Sequence, residues 1–282
     1  MPELPEAETI VRSLRRILPG SILGRPDVLR PDVVDGAPGA FGSSTEGRAV
    51  TEVERRGKNI RVCLDDGTSV VVNLGMSGRL LHRPAAPGAP TDPEPTHPAV
   101  IWPLSSGGTL VYHDIRRFGR IRLLDPADYE AWSRRLGPEP LGAEFTVPYL
   151  TEALGRSRSP LRSWLLDQRR VAGIGNIYAL EALHLARLHP ALPASLTPPE
   201  SARSLHGGIR KVLRQAIAAG GTTLRDYRRV DGGKGSYAAH LRVYGREGEA
   251  CHDCTVPIER VVFGQRSAFY CPRCQRRPGI EP

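Results

Sequence analysis

The sequence CHDCTVPIERVVFGQRSAFYCPRC, residues 251–274, decides the fold of the C-terminal end of this chain. Two Cys-x-x-Cys pairs, Cys251 with Cys254 and Cys271 with Cys274, flank sixteen residues. Each pair can direct its two sulfurs at one metal ion, and two pairs complete a tetrahedral four-sulfur site. Because no coordination position stays open, the pattern predicts one zinc ion with a structural role. Two unrelated cysteine pairs are the alternative.

The residues between the cysteine pairs predict a β-hairpin. Residues 256–263 and 268–270 have the β-branched and aromatic composition of strands. The segment is therefore predicted to be a β-hairpin zinc finger. Such a finger does not by itself imply DNA binding, but basic side chains near the hairpin tip and beyond it favour contacts with phosphates. These side chains are Arg266, Arg273, Arg276 and Arg277.

The whole chain has the composition of a globular protein with a basic surface. Its 282 residues suggest about two domains, and its 40% hydrophobic and 24% charged residues are ordinary for globular proteins. A formal net charge of +9 indicates a polyanionic partner such as nucleic acid. An unremarkable enzyme from an arginine-rich proteome would show the same charge. No segment suggests an oligomer, so we expect a monomer.

Targeting signals are not evident in the sequence. No apolar run approaches the ~18–20 residues of a membrane span, and the acidic start MPELPEAETI lacks the layout of a signal peptide. Two close cysteine pairs indicate a metal in a reducing compartment rather than disulfides. We therefore expect a cytoplasmic protein without a membrane partner. Cys63, in an apolar run, is expected to be a buried inert thiol.

Hydrophobic periodicity predicts a leading helix followed by a β-rich region. Residues 5–18 carry apolar side chains at helical spacing, and a Pro-Gly pair follows them. The period then shortens over residues 48–82, where an Asp-Asp-Gly turn separates two runs. Strands are predicted at Asn59–Leu64, 69–74, Thr109–His113 and Arg120–Leu124. This part of the chain is predicted to be an all-β sandwich or barrel.

The composition becomes helical after the β-rich region. Residues 144–220 favour helices, with a domain boundary near 135–150. The stretch TPPE, residues 197–200, has the pattern of a capping box with proline at the first helical position, and its helix should run to Gly220. The proline-rich residues 83–98 predict a long solvent loop inside the preceding domain.

The N-terminus offers an unusual nucleophile. Removal of Met1 would leave Pro2 as a secondary amine, and an α-amino group has a pKa of about 7.7–8. It is therefore partly neutral at physiological pH and can attack a carbon to form a positively charged iminium. Glu3 and Glu6 provide carboxylates beside it for proton transfer. The alternative is a helix start with acidic residues in its first turn.

Seven motifs in register closely resemble the bacterial formamidopyrimidine-DNA glycosylase family, over nearly the whole chain. They are MPELPE (1–6), LGMSG (74–78), RRFG (116–119), LGPEPL (136–141), GIGNIY (173–178), GTTL (221–224) and the paired cysteines. The resemblance implies an α+β fold: an N-terminal helix with a β-sandwich, a helix–two-turn–helix domain and a zinc finger. The corresponding domains are 1–140, 141–240 and 241–282.

The resemblance also implies a reaction on damaged double-stranded DNA. Pro2 attacks C1′ of the damaged nucleotide and displaces the base, and the Schiff base then permits β- and δ-elimination. Glu3 is implied as proton donor, with Glu6 supporting it. Lys58 matches a lysine of the family, and the resemblance implies for it a catalytic role through contact with the phosphates flanking the lesion and proton transfer. An exposed lysine at a strand start is the alternative.

Further residues are implied to bind the DNA. Asn176 and Arg266 match the pair that grips the backbone at the lesion, although an ordinary helix cap would also explain Asn176. Three residues match those that fill the gap left by the extruded base, for which core packing is the alternative in two cases. They are Met76, Arg116 and Phe118. His97 is expected to be the basic group available in its own stretch.

The sequence departs from the family pattern at several positions. Ile115 replaces a usual proline, which predicts a less rigid loop at Arg116, while Leu180 stands in place of serine and Arg225 in place of lysine. The glycine-rich residues 222–240 resemble the family's lesion-capping loop. Their sequence is too permissive to fix the lesion.

Three other functions compete with removal of oxidised purines. The first is a Nei-type glycosylase that prefers oxidised pyrimidines, against which Leu4 and the complete Met76, Arg116 and Phe118 set argue. The second is a zinc-dependent DNA- or RNA-binding protein without catalysis, which would need no intact Pro2 and Glu3. The third is an amine catalyst for small carbonyl compounds, which would leave the zinc finger unexplained.

Overall fold

A computed structural model describes residues 2–85, 96–224, 226–263 and 265–276. The expectations on Met1, on the central part of the 83–98 loop, on Arg225 and on Arg277 lie outside these residues. Within them, no helix is long and apolar enough to cross a membrane.

The described residues contain seven α-helices, ten strands and three short 3-10 helices. The α-helices are Leu4–Leu14 (α1), Pro38–Thr45 (α2), Pro126–Ser133 (α3), Val147–Gly155 (α4), Leu161–Leu166 (α5), Asn176–Leu185 (α6) and Pro199–Ala218 (α7). The strands are Asp27–Val28 (β1), Val50–Arg56 (β2), Asn59–Leu64 (β3), Ser69–Asn73 (β4), Arg79–Arg83 (β5), Pro98–Pro103 (β6), Thr109–His113 (β7), Arg120–Leu124 (β8), Glu259–Phe263 (β9) and Arg266–Tyr270 (β10). The 3-10 helices are Pro31–Val33, Ala194–Leu196 and Tyr237–His240.

The chain divides into two compact units. The first comprises Met1–Arg135 and Ala216–Ala238, and the second comprises Leu136–Gln215 and Ala239–Pro282. The first unit therefore takes in a late segment that contains most of the glycine-rich residues 222–240. The boundaries 1–140, 141–240 and 241–282 stay a prediction.

The first unit contains a β-sandwich. One antiparallel sheet has the strand order β1-β6-β7-β5 and the other has the order β2-β3-β4-β8. Both sheets contribute to a single apolar core, for example through Ile60 and Val72 from one and Trp102 and Tyr112 from the other. The α+β class and the sandwich predicted for this region are confirmed.

Helix α1 covers this core with its apolar face but ends earlier than predicted. Its last residue is Leu14, not residue 18, because the following turn tightens: Ile17 N–H donates to Leu14 O at 3.0 Å. Leu18 is nevertheless fully buried in the core. Its burial explains why helical periodicity in the sequence continues past the end of the helix.

The second unit contains helices α4 to α6 and the zinc hairpin. The capping box predicted at residues 197–200 is wrong. Pro198 O receives the Ala202 N–H at 2.9 Å and α7 begins at Pro199, so Thr197 lies one residue too early to cap it. The Thr197 hydroxyl has no hydrogen-bond partner among the described residues.

The zinc hairpin is shifted relative to its prediction. Strand β9 begins at Glu259 rather than at residue 256, and β10 begins at Arg266 rather than at residue 268. Val256 and Ile258 pair instead with the chain at and just before Cys251: Val256 O receives the Cys251 N–H, and Ile258 O receives the Gly248 N–H, both at 2.9 Å.

Candidate active site and zinc centre

The N-terminal residues lie buried at the start of α1. Pro2 is buried, and only 1% of Glu3 and of Glu6 is exposed. Glu3 and Glu6 form a capping box in which each carboxylate receives the other residue's backbone N–H, with Glu3 N to Glu6 Oε2 at 2.8 Å. This exchange gives acceptors to two backbone N–H groups that have no partner within the helix. It also fixes the positions of both carboxylates, which are close to Pro2 in the sequence.

Glu6 also binds the late segment of the same unit. Its Oε1 atom receives the Thr222 N–H at 2.6 Å. Gly221 precedes this contact with a φ of +84°, and a Cβ atom there would lie 2.9 Å from Glu6 Oε1. Both the backbone conformation and the close approach require glycine.

Lys58 lies in the two-residue turn between β2 and β3. Gly57 has a φ of +59°, as a tight hairpin turn requires, and Arg55 Nη1 donates to Gly57 O at 3.0 Å. Arg55 Nε also donates to Glu8 on α1 at 2.9 Å. The half-buried Lys58 therefore lies on a turn whose position is fixed by the hydrogen bonds of Arg55.

The loops that carry Met76, Arg116 and Phe118 are joined by a buried carboxylate. Asp114 Oδ1 accepts from Ser77 Oγ at 2.6 Å and from Arg116 N at 3.2 Å. Its Oδ2 atom accepts from Gly119 N at 2.8 Å and Tyr112 Oη at 3.1 Å. Burial and the neighbouring Asp114 raise the pKa of Tyr112, which keeps its hydroxyl a donor.

The side chains of the same loops project outward. Phe118 is 55% exposed and Met76 is 36% exposed, and the Arg116 guanidinium carbon lies 4.7 Å from the centre of the Phe118 ring. Core packing, the alternative for Met76 and Phe118, does not account for this exposure. Sequence reasoning missed both Asp114 and Ser77, which hold these loops together.

His97 lies near a second histidine that comes from strand β7. Its ring centre lies 5.8 Å from that of His113 on β7, and Arg79 of β5 is the strand partner of His113. Burial lowers the pKa of His113, and the charges of Arg79 and His97 lower it further. His97 is exposed, whereas His113 is buried.

Asn176 is the first residue of α6 and is not its cap, which is Gly175. Its Oδ1 atom accepts from Arg162 Nε at 2.9 Å, and its Nδ2 donates to Ser267 O, next to Arg266, at 3.0 Å. The structure thus brings Asn176 to the strand that carries Arg266.

Arg162 is a member of this cluster that sequence reasoning missed. It is buried together with the apolar residues of α5, Leu161, Trp164 and Leu165. Burial lowers its pKa, and the charge of Arg266 lowers it further. Its Nη2 atom has no hydrogen-bond partner among the described residues. Two guanidinium groups beside an amide suit an anion such as a phosphate. An arginine among apolar residues was the available signal.

The four cysteines form a zinc site. Their Sγ atoms all lie within 4.8 Å of one another, with Cys254 to Cys271 at 3.4 Å and Cys251 to Cys274 at 4.0 Å. Tetrahedral zinc with Zn–S bonds of about 2.3 Å separates its sulfurs by about 3.8 Å, so the residues fit the ion. The predicted zinc ligands are brought together as expected, and the site leaves no open position.

Comparisons with known proteins give consistent results. The family models for the formamidopyrimidine-DNA glycosylase N-terminal domain, its H2TH domain and the zinc finger found in FPG and IleRS match residues 1–121, 136–228 and 248–277. The formamidopyrimidine-DNA glycosylase of Chloroflexus aurantiacus is 42% identical over 276 residues, 98% of each chain. The chain belongs to the formamidopyrimidine-DNA glycosylase family.

Solved structures of this family have the same fold. The MutM (Fpg) protein of Thermus thermophilus superimposes with a TM-score of 0.87 at 40% identity and covers 100% of both chains. A Lactococcus lactis FPG mutant in complex with a Fapy-dG containing DNA has a TM-score of 0.89 at 30% identity, covering 98% of this chain and 100% of the other.

Two departures from the family pattern can be placed in this glycosylase. Ile115 is 45% exposed, and the loop after it is held by the bonds of Arg116 N and Gly119 N to Asp114. Leu180 is fully buried in a cluster with Val243 and the zinc ligand Cys251. Its apolar side chain therefore joins α6 to the zinc finger.

Proposed function

We propose that this protein is a bifunctional DNA glycosylase and AP lyase that removes oxidised purines, 8-oxoguanine and formamidopyrimidines, from duplex DNA. The observation that carries the proposal is the buried start of α1, where Pro2 precedes Glu3 and Glu6 and each of these carboxylates receives the other residue's backbone N–H. The family relationship adds to it, since Lactococcus lactis Fpg was solved with Fapy-dG DNA and with abasic-site DNA.

The reaction begins at the Pro2 nitrogen. Its lone pair forms a bond to C1′ as the bond from C1′ to the damaged base breaks, and the base leaves with a proton. The sugar ring then opens to give an iminium between Pro2 and C1′, which withdraws electrons from C2′. Loss of a C2′ proton expels the 3′-phosphate, and a second elimination expels the 5′-phosphate. Water finally hydrolyses the iminium and restores Pro2.

Glu3 is the proton donor and acceptor at the sugar. Glu6 acts through it: one Glu6 oxygen holds the Glu3 N–H and the other holds Thr222. Glu6 is thus a positioning residue rather than a proton donor. Lys58, on its turn between β2 and β3, contacts a phosphate that flanks the lesion.

The DNA contacts come from three clusters. Arg266 and Asn176 bind one backbone phosphate with charge-assisted hydrogen bonds, and the buried Arg162 holds the Asn176 amide through its Nε. Met76, Phe118 and Arg116 fill the gap left by the extruded base, which offsets roughly a few kcal/mol of lost stacking and pairing. The exposed His97 adds a further basic group for the DNA backbone.

Zinc has a structural part in this function. Zinc bound by the four cysteines would cross-link the two Cys-x-x-Cys turns, here called knuckles, and thereby hold the hairpin that presents Arg266. The reduced thiolate ligands suit a cytoplasmic protein, and we place the enzyme there as a monomer.

Activity on four duplexes tests this proposal: 8-oxoguanine or formamidopyrimidine opposite cytosine, thymine glycol opposite adenine, and undamaged DNA. We expect base release and strand cleavage on the two purine lesions, with phosphates at both ends of the gap. A preference for thymine glycol would instead indicate a Nei-type enzyme. Tight binding without any cleavage would indicate a non-catalytic zinc protein.

A further inference from the structure

A buried histidine faces the zinc centre although it is not one of the four ligands. His184 lies in the last turn of α6, and its side chain has no exposed surface. Its Nε2 atom is 3.7 Å from the Sγ atom of Cys251 and 3.8 Å from Asp253 Oδ2. Both neighbours are hydrogen-bond acceptors once the cysteine is a metal-bound thiolate.

The surroundings of the ring decide which nitrogen carries the proton. Nδ1 is buried and has no hydrogen-bond partner among the described residues, so a proton there would be an unsatisfied donor. Nε2 faces two acceptors, so a proton on this nitrogen has a hydrogen-bond partner. These surroundings favour the Nε2–H tautomer, in which the N–H faces the Cys251 sulfur and the Asp253 carboxylate.

The acceptors around this ring are themselves held in place. Asp253 Oδ1 accepts from Arg242 Nη1 at 2.8 Å, and the Asp253 N–H donates to Cys251 Sγ at 3.4 Å. Cys251 thus receives one backbone donor and has the His184 Nε2 atom as its side-chain neighbour. The opposite knuckle has the backbone equivalent, Cys274 N to Cys271 Sγ at 3.4 Å.

The same helix holds the chain that leads into the first knuckle. Glu181, one turn before His184, accepts the backbone N–H groups of residues 242, 243 and 244 at 2.8–3.0 Å. Leu180 packs beside Cys251. Helix α6 begins at Asn176, which contacts the strand of Arg266. One helix therefore joins the zinc knuckle to the predicted phosphate-binding cluster.

We propose that His184 is a positioning residue of the zinc centre: its Nε2–H donates to the Cys251 thiolate, orients this ligand and couples the metal to α6. Donors outside the ligand set tune the electron density of a thiolate and the affinity of its metal, and losing one typically costs 10–100-fold in affinity. The ring itself does not bind zinc, because the four sulfurs already complete the tetrahedron.

The test compares full-length variants in zinc and cobalt forms. His184→Phe keeps the aromatic volume without a donor, and His184→Gln keeps an N–H. His252→Gln, an exposed histidine inside the same knuckle, is the matched control. Zinc affinity is measured by competition with a chelator, and cobalt substitution reports the sulfur-to-metal charge-transfer band in the near ultraviolet.

We expect His184→Phe to lower zinc affinity about 10–100-fold and to move the charge-transfer band to lower energy, since an unbonded sulfur lone pair is easier to ionise. His184→Gln should restore most of both properties, and His252→Gln should match the wild type. A wild-type cobalt spectrum and affinity in His184→Phe would overturn the proposal.

A measurement on the unmutated protein keeps the proposal testable if His184→Phe does not fold. Cadmium-113 is exchanged for zinc, and the ring nitrogens are examined by nitrogen-15 NMR. We expect a protonated Nε2, an unprotonated Nδ1 and a scalar coupling from the Nε2 proton to cadmium through the sulfur. Protonation on Nδ1 with no coupling would overturn the proposal.

Discussion

Glu6 Oε1 receives the backbone N–H of Thr222 at 2.6 Å, although 216 residues separate them in the chain. The other Glu6 oxygen receives the Glu3 N–H at 2.8 Å. A single carboxylate thus holds both the start of α1, next to Pro2, and the glycine-rich segment that the family resemblance links to lesion recognition. Both oxygens are needed as acceptors.

The Glu6→Gln substitution hardly changes the size of the side chain, but it should lower both activity and stability. Its amide group would turn an NH₂ donor toward one of the two N–H groups. We expect base release from 8-oxoguanine to fall by about 10–100-fold, as for other small displacements of reacting groups, and stability to fall by about 1–3 kcal/mol. Single-turnover kinetics and urea unfolding measure these effects, with Glu52→Gln, an exposed glutamate on β2, as control. A Glu6→Gln enzyme equal to this control would contradict the role.

Asp114 should support the DNA-binding loops through the four hydrogen bonds that it accepts. Asparagine at this position loses the charge and one acceptor oxygen, so the loops of Met76 and Phe118 should loosen. We expect about 1–3 kcal/mol less stability and at least roughly tenfold weaker binding to a duplex with a tetrahydrofuran abasic analogue. Asp32→Asn is the control, because its ion pair with Arg117 is about half exposed. Unchanged affinity in Asp114→Asn would show that the loops hold their shape without it.

Protonation of Glu8 should make the first unit less stable in acid. Burial raises the pKa of Glu8, but hydrogen bonds from Arg12 and Arg55 and their charges outweigh it, and the pKa lies below its ordinary value. A lowered pKa gives stability that is present above the unfolded value and is lost as the pH falls through the folded value. We expect Glu8→Gln to lose about 1–3 kcal/mol at pH 7, and the gap to the wild type to narrow on acidification.

Denaturant unfolding between neutral and acidic pH measures this gap. Glu130→Gln is the matched control, because its pair with Arg134 is exposed on both sides and 3.9 Å long, and such pairs contribute little. A Glu8→Gln deficit that is the same at every pH would exclude the carboxylate charge as its source.

Zinc binding should depend on Cys251 and not on Cys63. Serine in place of Cys251 removes a ligand that is also part of the apolar cluster with Leu180, so zinc content and DNA affinity should both fall. Cys63→Ser changes a half-buried thiol of β3, outside the metal cluster, and should keep a full zinc ion. Elemental analysis measures the zinc content of each variant, and titration with lesion DNA measures its affinity. A Cys251→Ser protein that binds lesion DNA normally would make the finger dispensable.

Local patterns were sufficient to predict much of the fold. Strands β3, β7 and β8 have the bounds expected from their alternation, and the cysteine spacing predicted the zinc site. Elements set by tertiary contacts were not predicted correctly. The buried Leu18 extended a helical pattern beyond α1, and strand β9 starts late because Ile258 pairs with an earlier segment.

Candidate site residues could be named from the sequence where motifs carry chemistry, and not where distant residues meet; their roles stay a prediction. Pro2, Glu3 and the cysteines could be named from the sequence. Asp114 could not, since its partner Ser77 lies 37 residues away in the chain. Arg162 was marked only by its position among the apolar residues of α5, and its contact with Asn176 needed the fold. A buried charge is visible only when the fold shows which donors or acceptors surround it.

Borohydride trapping tests the central claim, that Pro2 is the nucleophile, most directly. The mature protein is reacted with a duplex carrying 8-oxoguanine opposite cytosine, beside an undamaged duplex and a protein form that retains Met1. We predict a reduced covalent adduct only with the lesion and only with the mature form, mapped by peptide mass spectrometry to Pro2. An adduct on a lysine such as Lys58, or no adduct when Met1 is verified to be absent, would contradict the account.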